Sequence, residues 1–335
     1  MKTQIDTSAH PICPISGVQM KPWLLVPGDW LRATDNPFQL YWCEESQYGC
    51  LYPRPSASEI AHLYDYEGYY THTTASRELD ERSFLERLCL HIAWRLDRGS
   101  DLTADWFARH FGSTSQEVCE VGCGNGKLLG QLQAAGHTVI GVEPDAEARR
   151  LAMQNRGLQV FPGTAESMPA QVQSKRYDVV IMAHVLEHTL NPLLALENVM
   201  DLLKPNGKLV LETPNNAAVG LGWSGVTWFC LRVPEHLHFF TQPSLSAICE
   251  QVGLQVKASE FRGYCRQFSP PYIHTERQIW ESLNSLGSCR DDLPSINSSQ
   301  KAWLLLLRTI FAREEQKYDC VRVIAERQES AKYAK

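Results

Sequence analysis

The sequence predicts an α/β protein: a mostly parallel sheet with helices on both faces, preceded by a small amino-terminal module and carrying helical insertions. Two observations lead there. From residue 116 onward short apolar strands alternate with amphipathic helices, the order from which parallel sheets are wound. Residues 1–55 read differently, with Pro, Trp and Cys among short apolar pieces such as "WLLVP" and "FQLYWC", the mark of short strands and tight turns. A chain of 335 residues, 44% hydrophobic and 21% charged, has material for a sizeable core. Its net charge of -6 gives no overall electrostatic footprint for a nucleic-acid backbone, so no nucleic-acid partner is expected.

The elements follow in order. The first module offers His10, Cys13, Cys43 and Cys50 as metal ligands, but Ser16 and Ser46 stand where two C-x2-C pairs would close. The reading therefore favours a module packed on its aromatic residues without zinc. Residues 56–114 form a helical lid or linker. Here "SRELDERSFLERLCLHIAWRLDRG" spaces Phe84, Leu85, Leu88, Ile92 and Leu96 as one core-facing helical stripe, and "TADWFARHF" is a second helix capped by Thr103 and stopped by Gly112. Tyrosines in "YDYEGYYTHTT", residues 64–74, are candidates to line a closed pocket.

Beyond them "EVCEVG", "HTVIGVE", "LQVFPG", "YDVVIMAHV", "KLVLETP", "LQVKASEF" and "KYDCVRVIAER" read as strands, separated by helical segments such as "GKLLGQLQAAG", "NPLLALENVMDLLKPNG" and "SLSAICEQVG". Two insertions, 217–240 and 270–315, interrupt this order. In the second, "SQKAWLLLLRTIFA" is apolar on several sides, which calls for burial against another helix or in a homo-oligomer.

The first strand runs into "EVGCGNG". Gly122, Gly124 and Gly126 allow a tight turn and close backbone approach to a ligand at a helix start. The next strand ends in Glu143, placed to accept the hydroxyls of a ribose. A dinucleotide fingerprint needs a third glycine where Lys127 stands, and Glu120 would oppose a diphosphate while suiting an amino group. A nucleoside without phosphates fits better.

"EVCEVGCGNG", "GVEPD", "GTAESMP", "YDVVIMAHVLEHTLNP" and "LLKPNGKLVLETPN" together resemble the class I S-adenosylmethionine-dependent methyltransferases, in particular the ubiquinone-biosynthesis and small-molecule subgroup. The resemblance implies a seven-stranded Rossmann-like sheet over 115–330 and S-adenosyl-L-methionine as cofactor. It implies that Glu120 and the three glycines cradle the methionine part, Glu143 the ribose, and Ala165 and Glu166 the adenine edge. Ala183 and His184 would border the methionine moiety. The amino-terminal module is similar in position to the small zinc-binding module of some sugar and natural-product methyltransferases, though its serines make it a degenerate zinc-ribbon-like unit.

"HVLEH", residues 184–188, also spells the H-x-x-E-H of an inverted zinc peptidase, which needs both histidines on one helix face. Here the letters sit where a strand runs out, so the peptidase reading is set aside and no catalytic metal is assigned. A hydroxyl acceptor must lose a proton as it reacts. His188, and His236 in "PEHLHFFTQPSL", which resembles a segment at the active-site mouth of the same subgroup, are the acid-base candidates, with His238 structural. Arg232 either meets an anionic substrate or pairs with Glu235. The acceptor is expected to be a small molecule with a carboxylate, sugar or apolar portion, and O-, N- and C-transfer stay open. The alternative is a regulatory protein that binds the cofactor without transferring its methyl group. No apolar run reaches the roughly 20 residues of a membrane span, and a soluble cytoplasmic protein is expected.

Overall fold

The computed structural model describes residues 10–56, 59–60, 83–286 and 298–328. The tyrosine-rich stretch at 64–74 lies outside the described residues. Strands β1 (Lys21–Val26), β2 (Phe38–Cys43) and β3 (Tyr48–Leu51) form an antiparallel meander. Helices α1 (Phe84–Leu96) and α2 (Ala104–Phe111) follow. A reciprocal Ser83–Glu86 capping box starts α1, and the Thr103 hydroxyl accepts the Trp106 N–H to start α2.

The winding then begins: β4 (Glu117–Val121), α3 (Lys127–Ala134), β5 (Thr138–Val142), α4 (Ala146–Arg156) and β6 (Val160–Phe161). It continues through β7 (Tyr177–Ala183), α5 (Pro192–Leu202), β8 (Leu203–Pro214), β9 (His238–Phe239), α6 (Gln242–Gln251) and β10 (Leu254–Arg262). Helices α7 (Pro270–Ser285) and α8 (Ser298–Thr309) precede the last strand, β11 (Cys320–Arg327).

The main sheet has seven strands in the order β10-β11-β8-β7-β4-β5-β6. Only β11 runs against the others, antiparallel to both β8 and β10. Alternate side chains along the central strands serve two cores. Val118, Val179, Ile181 and Val210 pack under Trp106, Phe107 and Leu132 of α2 and α3. Cys119, Val180, Met182, Leu209 and Leu211 pack on the other face under Ala195, Leu196 and Val199 of α5 and Leu245 and Ile248 of α6. The expected α/β class and its seven-stranded, mostly parallel sheet are what the chain adopts.

The chain order along the sheet reverses at β4: β5 and β6 lie on one side, β7 and β8 on the other. A crevice at the carboxyl ends of β4 and β7 is where ligands sit in such sheets.

Two features differ from the sequence reading. The apolar stripe assigned to α1 faces the core only in its second half: Ile92 and Leu96 pack against it, whereas Phe84 is 73% and Leu85 58% exposed, and Leu88 is also exposed. Cys89 and Ala93 are buried instead, in a cluster with Tyr264, Phe268, Ala302, Leu306 and Tyr318. Small residues on α1 let α8 approach closely, and that contact decided the rotation of the helix. The second feature is β9. It leaves the 217–240 insertion and pairs with β3, so the amino-terminal sheet has four strands in the order β1-β2-β3-β9.

Candidate functional site

The turn after β4 is held open by its glycines. A Cβ on Gly122, whose φ is +74°, would lie 2.3 Å from Val185 Cγ2, and one on Gly126 would lie 2.4 Å from Leu158 Cδ1. Gly124 also has a positive φ, and its N–H donates to Glu143 Oε2 at 2.8 Å. The second Glu143 oxygen accepts the Asp145 N–H at 2.9 Å. Burial pushes the Glu143 carboxyl up, against the pull of those two N–H groups.

Glu120 lies at the carboxyl end of β4, only 6% exposed, and its Oε2 has no hydrogen-bond partner among the described residues. Burial, then the neighbouring Glu143, push its carboxyl up to about 8, against the N–H of Leu129 in the first turn of α3. A buried, half-satisfied acid costs free energy unless something cationic or a proton meets it. An amino group beside a glycine turn that no Cβ can enter satisfies both demands, so this donor set fits the amino-acid end of S-adenosylmethionine.

Ala165 is buried, and its carbonyl accepts the Asn198 amide at 2.9 Å. The Glu166 carboxylate accepts the N–H groups of Leu190 and Asn191 at 3.2 and 2.7 Å, tying the segment after β6 to the start of α5.

Ala183 ends β7 and His184 turns the chain with a φ of +56°. The His184 ring is an ionic hub: Nδ1 lies 3.2 Å from Glu187 Oε1, Nε2 lies 3.1 Å from Glu212 Oε1 and 3.3 Å from Arg262 Nη2. Burial works against its charge, but Cys320, Glu187 and Glu212 outweigh it and hold the imidazole well above its usual range. Glu212, 1% exposed, takes Arg262 on one oxygen at 2.5 Å and Arg322 on the other at 2.6 Å. The cluster locks the ends of β8, β10 and β11 together.

The next two site residues come together as expected from neither spacing nor proximity in sequence. Leu186–His188 form a single 3-10 turn, and His188 Nδ1 meets the Glu235 carbonyl at 3.0 Å. His236 Nδ1 meets the Cys230 carbonyl at 3.0 Å. The two rings stand edge to face, 4.7 Å apart. A carbonyl can only accept, so each ring carries its proton on Nδ1 and its lone pair on Nε2. Burial lowers the affinity of both rings for a second proton, and for His236 the nearby His188 and Arg232 push the same way. Both are neutral near pH 7. Glu187, 1% exposed, joins them, and one donor atom from each of the three lies within 4.8 Å of the others. Such a set can share a proton or hold a divalent cation.

The H-x-x-E-H residues thus serve two clusters, His184 with Glu212 and Cys320 and His188 with His236, and Glu187 touches both. That is no peptidase helix. His238 uses both nitrogens, Nε2 on the Thr189 carbonyl at 2.8 Å and Nδ1 on the Tyr48 hydroxyl, which leaves it a structural part. Arg232 pairs with the buried Glu235 at 3.7 Å. Trp228 and Phe229 pack into a core that the insertion shares with the amino-terminal sheet and α7, beside Leu40 and Tyr272.

Next to this edge lies a cleft of about 750 Å³ whose walls include His91 and Trp94 of α1, Asp97, Arg262 and Arg266. Arg262 reaches from that wall to His184. The sequence reading missed Glu212, Arg262 and Arg322; an acid inside the apolar run "KLVLETP" was the available signal.

In the first module the four residues weighed as ligands do not converge. His10 Nδ1 meets the Met20 carbonyl at 3.1 Å and Cys50 Sγ points to Met20 Sδ at 3.6 Å. Cys13 and Cys43 meet the two serines instead, Cys13 Sγ lying 3.1 Å from Ser46 Oγ and Ser16 Oγ 3.3 Å from Cys43 Sγ. No helix among the described residues is long and apolar enough to cross a membrane.

Comparison with known proteins agrees with this geometry. Residues 94–259 match a methyltransferase-domain family. A ubiquinone biosynthesis O-methyltransferase of Haemophilus ducreyi is 30% identical over 192 residues, 53% of this chain and 77% of that protein. One from Azoarcus is 30% identical over 165 residues, 46% of this chain and 71% of its own. Among solved structures, magnesium protoporphyrin IX methyltransferase from Synechocystis, with bound S-adenosylhomocysteine, aligns over 82% of this chain and all of its own at 12% identity and a TM-score of 0.48. With the sheet order, the glycine turn and relatives of which it spans more than two thirds, the chain belongs to the class I S-adenosylmethionine-dependent methyltransferases.

Proposed function

We propose that this methyltransferase acts on a hydroxyl oxygen of a small-molecule acceptor, with His236 and His188 as the groups that receive its proton. The carrying observation is the pair of neutral imidazoles, each fixed by a carbonyl on Nδ1, at the carboxyl edge of β7. A hydroxyl loses its proton as it is methylated, and a neutral imidazole nearby has a lone pair to take it. The two ubiquinone-biosynthesis relatives named above are O-methyltransferases, which supports an oxygen acceptor.

Bound S-adenosylmethionine supplies an electrophilic methyl group on a sulfonium. Glu120 would meet its amino group, the backbone of Gly122, Gly124 and Gly126 its methionine part, Glu143 the ribose hydroxyls, Ala165 and Glu166 the adenine edge, and Ala183 and His184 the border with the acceptor. Holding two reactants in line contributes much of the rate in such transfers, about 7–11 kcal/mol in favourable intramolecular cases. The Glu212–Arg262–Arg322 cluster holds His184 and the cleft wall in place for that purpose.

Labelled S-adenosylmethionine, incubated with the protein and a panel of phenols, catechols, amines and carbon acids, tests the reading by mass spectrometry of the products. Label on oxygen supports it. Label on nitrogen or carbon alone refutes it, and binding of S-adenosylhomocysteine without any transfer favours a non-catalytic cofactor-binding protein.

A further inference from the structure

The first module contains a side-chain cluster for which methyl transfer gives no role. Cys13 and Ser16 share one tight turn, closed by Gly17 N–H donating to the Cys13 carbonyl at 2.9 Å. Cys43 and Ser46 share the hairpin between β2 and β3, where Cys43 pairs with Tyr48. The two C-x2-S turns face each other with thiol against hydroxyl in both directions, Cys13 Sγ on Ser46 Oγ and Cys43 Sγ on Ser16 Oγ. Two such turns with four thiolates would hold a metal. With hydroxyls at two corners, what is left is one thiol on each of two facing turns.

We propose that Cys13 and Cys43 are a redox-active dithiol that closes to a disulfide on exposure to hydrogen peroxide. The Cys43 thiolate attacks one peroxide oxygen, breaking the O–O bond and leaving a sulfenic acid and water. The Cys13 sulfur then displaces the sulfenic oxygen, which departs as a second water, and the S–S bond forms. Both electrons come from the sulfurs and both are accepted by the peroxide.

Three further observations support the assignment. Burial pushes the Cys43 thiol up, but bonds from Ser16, Ser46 and Cys13 outweigh it and hold it below the ordinary thiol range. Burial raises Cys50 and Cys89 to about 11 and Cys119 and Cys123 further still, so those thiols stay protonated and slow. Cys13 and Cys43 are themselves buried, while Gly17, Val18, Glu44, Glu45 and Gln47 beside them in the chain are exposed.

The test treats the full-length protein with hydrogen peroxide, alkylates it and maps its cysteines by mass spectrometry. The expected result is a Cys13–Cys43 cross-linked peptide two hydrogens lighter than the dithiol, formed before any other cysteine is oxidised and reversed by dithiothreitol. In Cys13→Ser, Cys43 stops at the sulfenic acid and is captured by dimedone; in Cys43→Ser, Cys13 stays reduced. Ser16→Ala, which keeps both sulfurs, slows closure several-fold, and thermal melts of each variant separate that effect from misfolding. Wild-type Cys13 and Cys43 that remain alkylatable while other cysteines oxidise overturn the proposal. So does one zinc per chain held by these two thiols in the purified protein.

Discussion

Glu120→Gln offers the most direct check on the cofactor crevice. Moving a carboxyl from its usual 4.5 to about 8 corresponds to on the order of 5 kcal/mol of differential proton binding between folded and unfolded chain. Because the folded group holds its proton more tightly, stability is greatest below pH 4.5, falls as pH rises, and levels off above about 8, where both states are ionised. Glutamine has the same shape and no charge to bury. The variant should therefore be the more stable protein at pH 8, by a few kcal/mol out of that ~5 kcal/mol limit, and its stability should vary less between pH 5 and 8. It should also bind S-adenosylhomocysteine more weakly, since the orphaned oxygen is what an ammonium would meet. Wild type should release close to one proton on binding at pH 7, about 0.9 for a group titrating near 8, and little at pH 9. Urea denaturation at five pH values, and calorimetry in two buffers of different ionisation enthalpy, measure these quantities. Parallel stability curves for the two proteins, together with binding that releases no proton, would refute the reasoning.

Three other outcomes are expected. Gly122→Val should lower affinity for S-adenosylhomocysteine at least tenfold by calorimetry, because its side chain would enter the space of Val185. His236→Gln should lower kcat by roughly 10²–10⁴-fold with cofactor affinity changed less than threefold, if proton removal is its task; equal losses in binding and turnover would make it a packing residue. Glu212→Gln should cost up to about 3–5 kcal/mol at pH 7, since it takes the buried carboxylate from Arg262 and Arg322 and leaves them only the more exposed Asp101 and Glu260. The wild-type contribution of Glu212, held well below the usual carboxylate range despite burial by Arg262, His184 and Arg322, is present above pH 4.5 and fades as acid protonates it, so the gap between the two proteins should narrow in an acid titration.

The strands were legible because each is short, apolar and bounded by its own turn, and the glycine turn because its chemistry is contained in seven consecutive residues. The ion cluster was not legible: Glu212 and Arg322 are 110 positions apart and meet only because β11 inserts antiparallel beside β8. His184 looked like a pocket residue from its place after β7; Cys320, Glu187 and Glu212 are what favour its protonated form. On α1, apolar residues occur on more than one face, so periodicity alone could not tell that Cys89 and Ala93, the small ones, would meet α8.

The pairing of β3 with β9 bears on how the chain is made. Tyr48 and His238, bonded to each other in the finished protein, are 190 positions apart. On a ribosome moving at about 5–20 residues per second, the first three strands wait roughly 10–40 s for the fourth. For that interval β3 offers an open strand edge with no native neighbour, the kind of edge that recruits other chains. Slow synthesis, crowding of nascent chains or a truncation before residue 238 would all lengthen that exposure, so the yield of soluble protein depends on the pace of translation through a stretch far from the strands at risk.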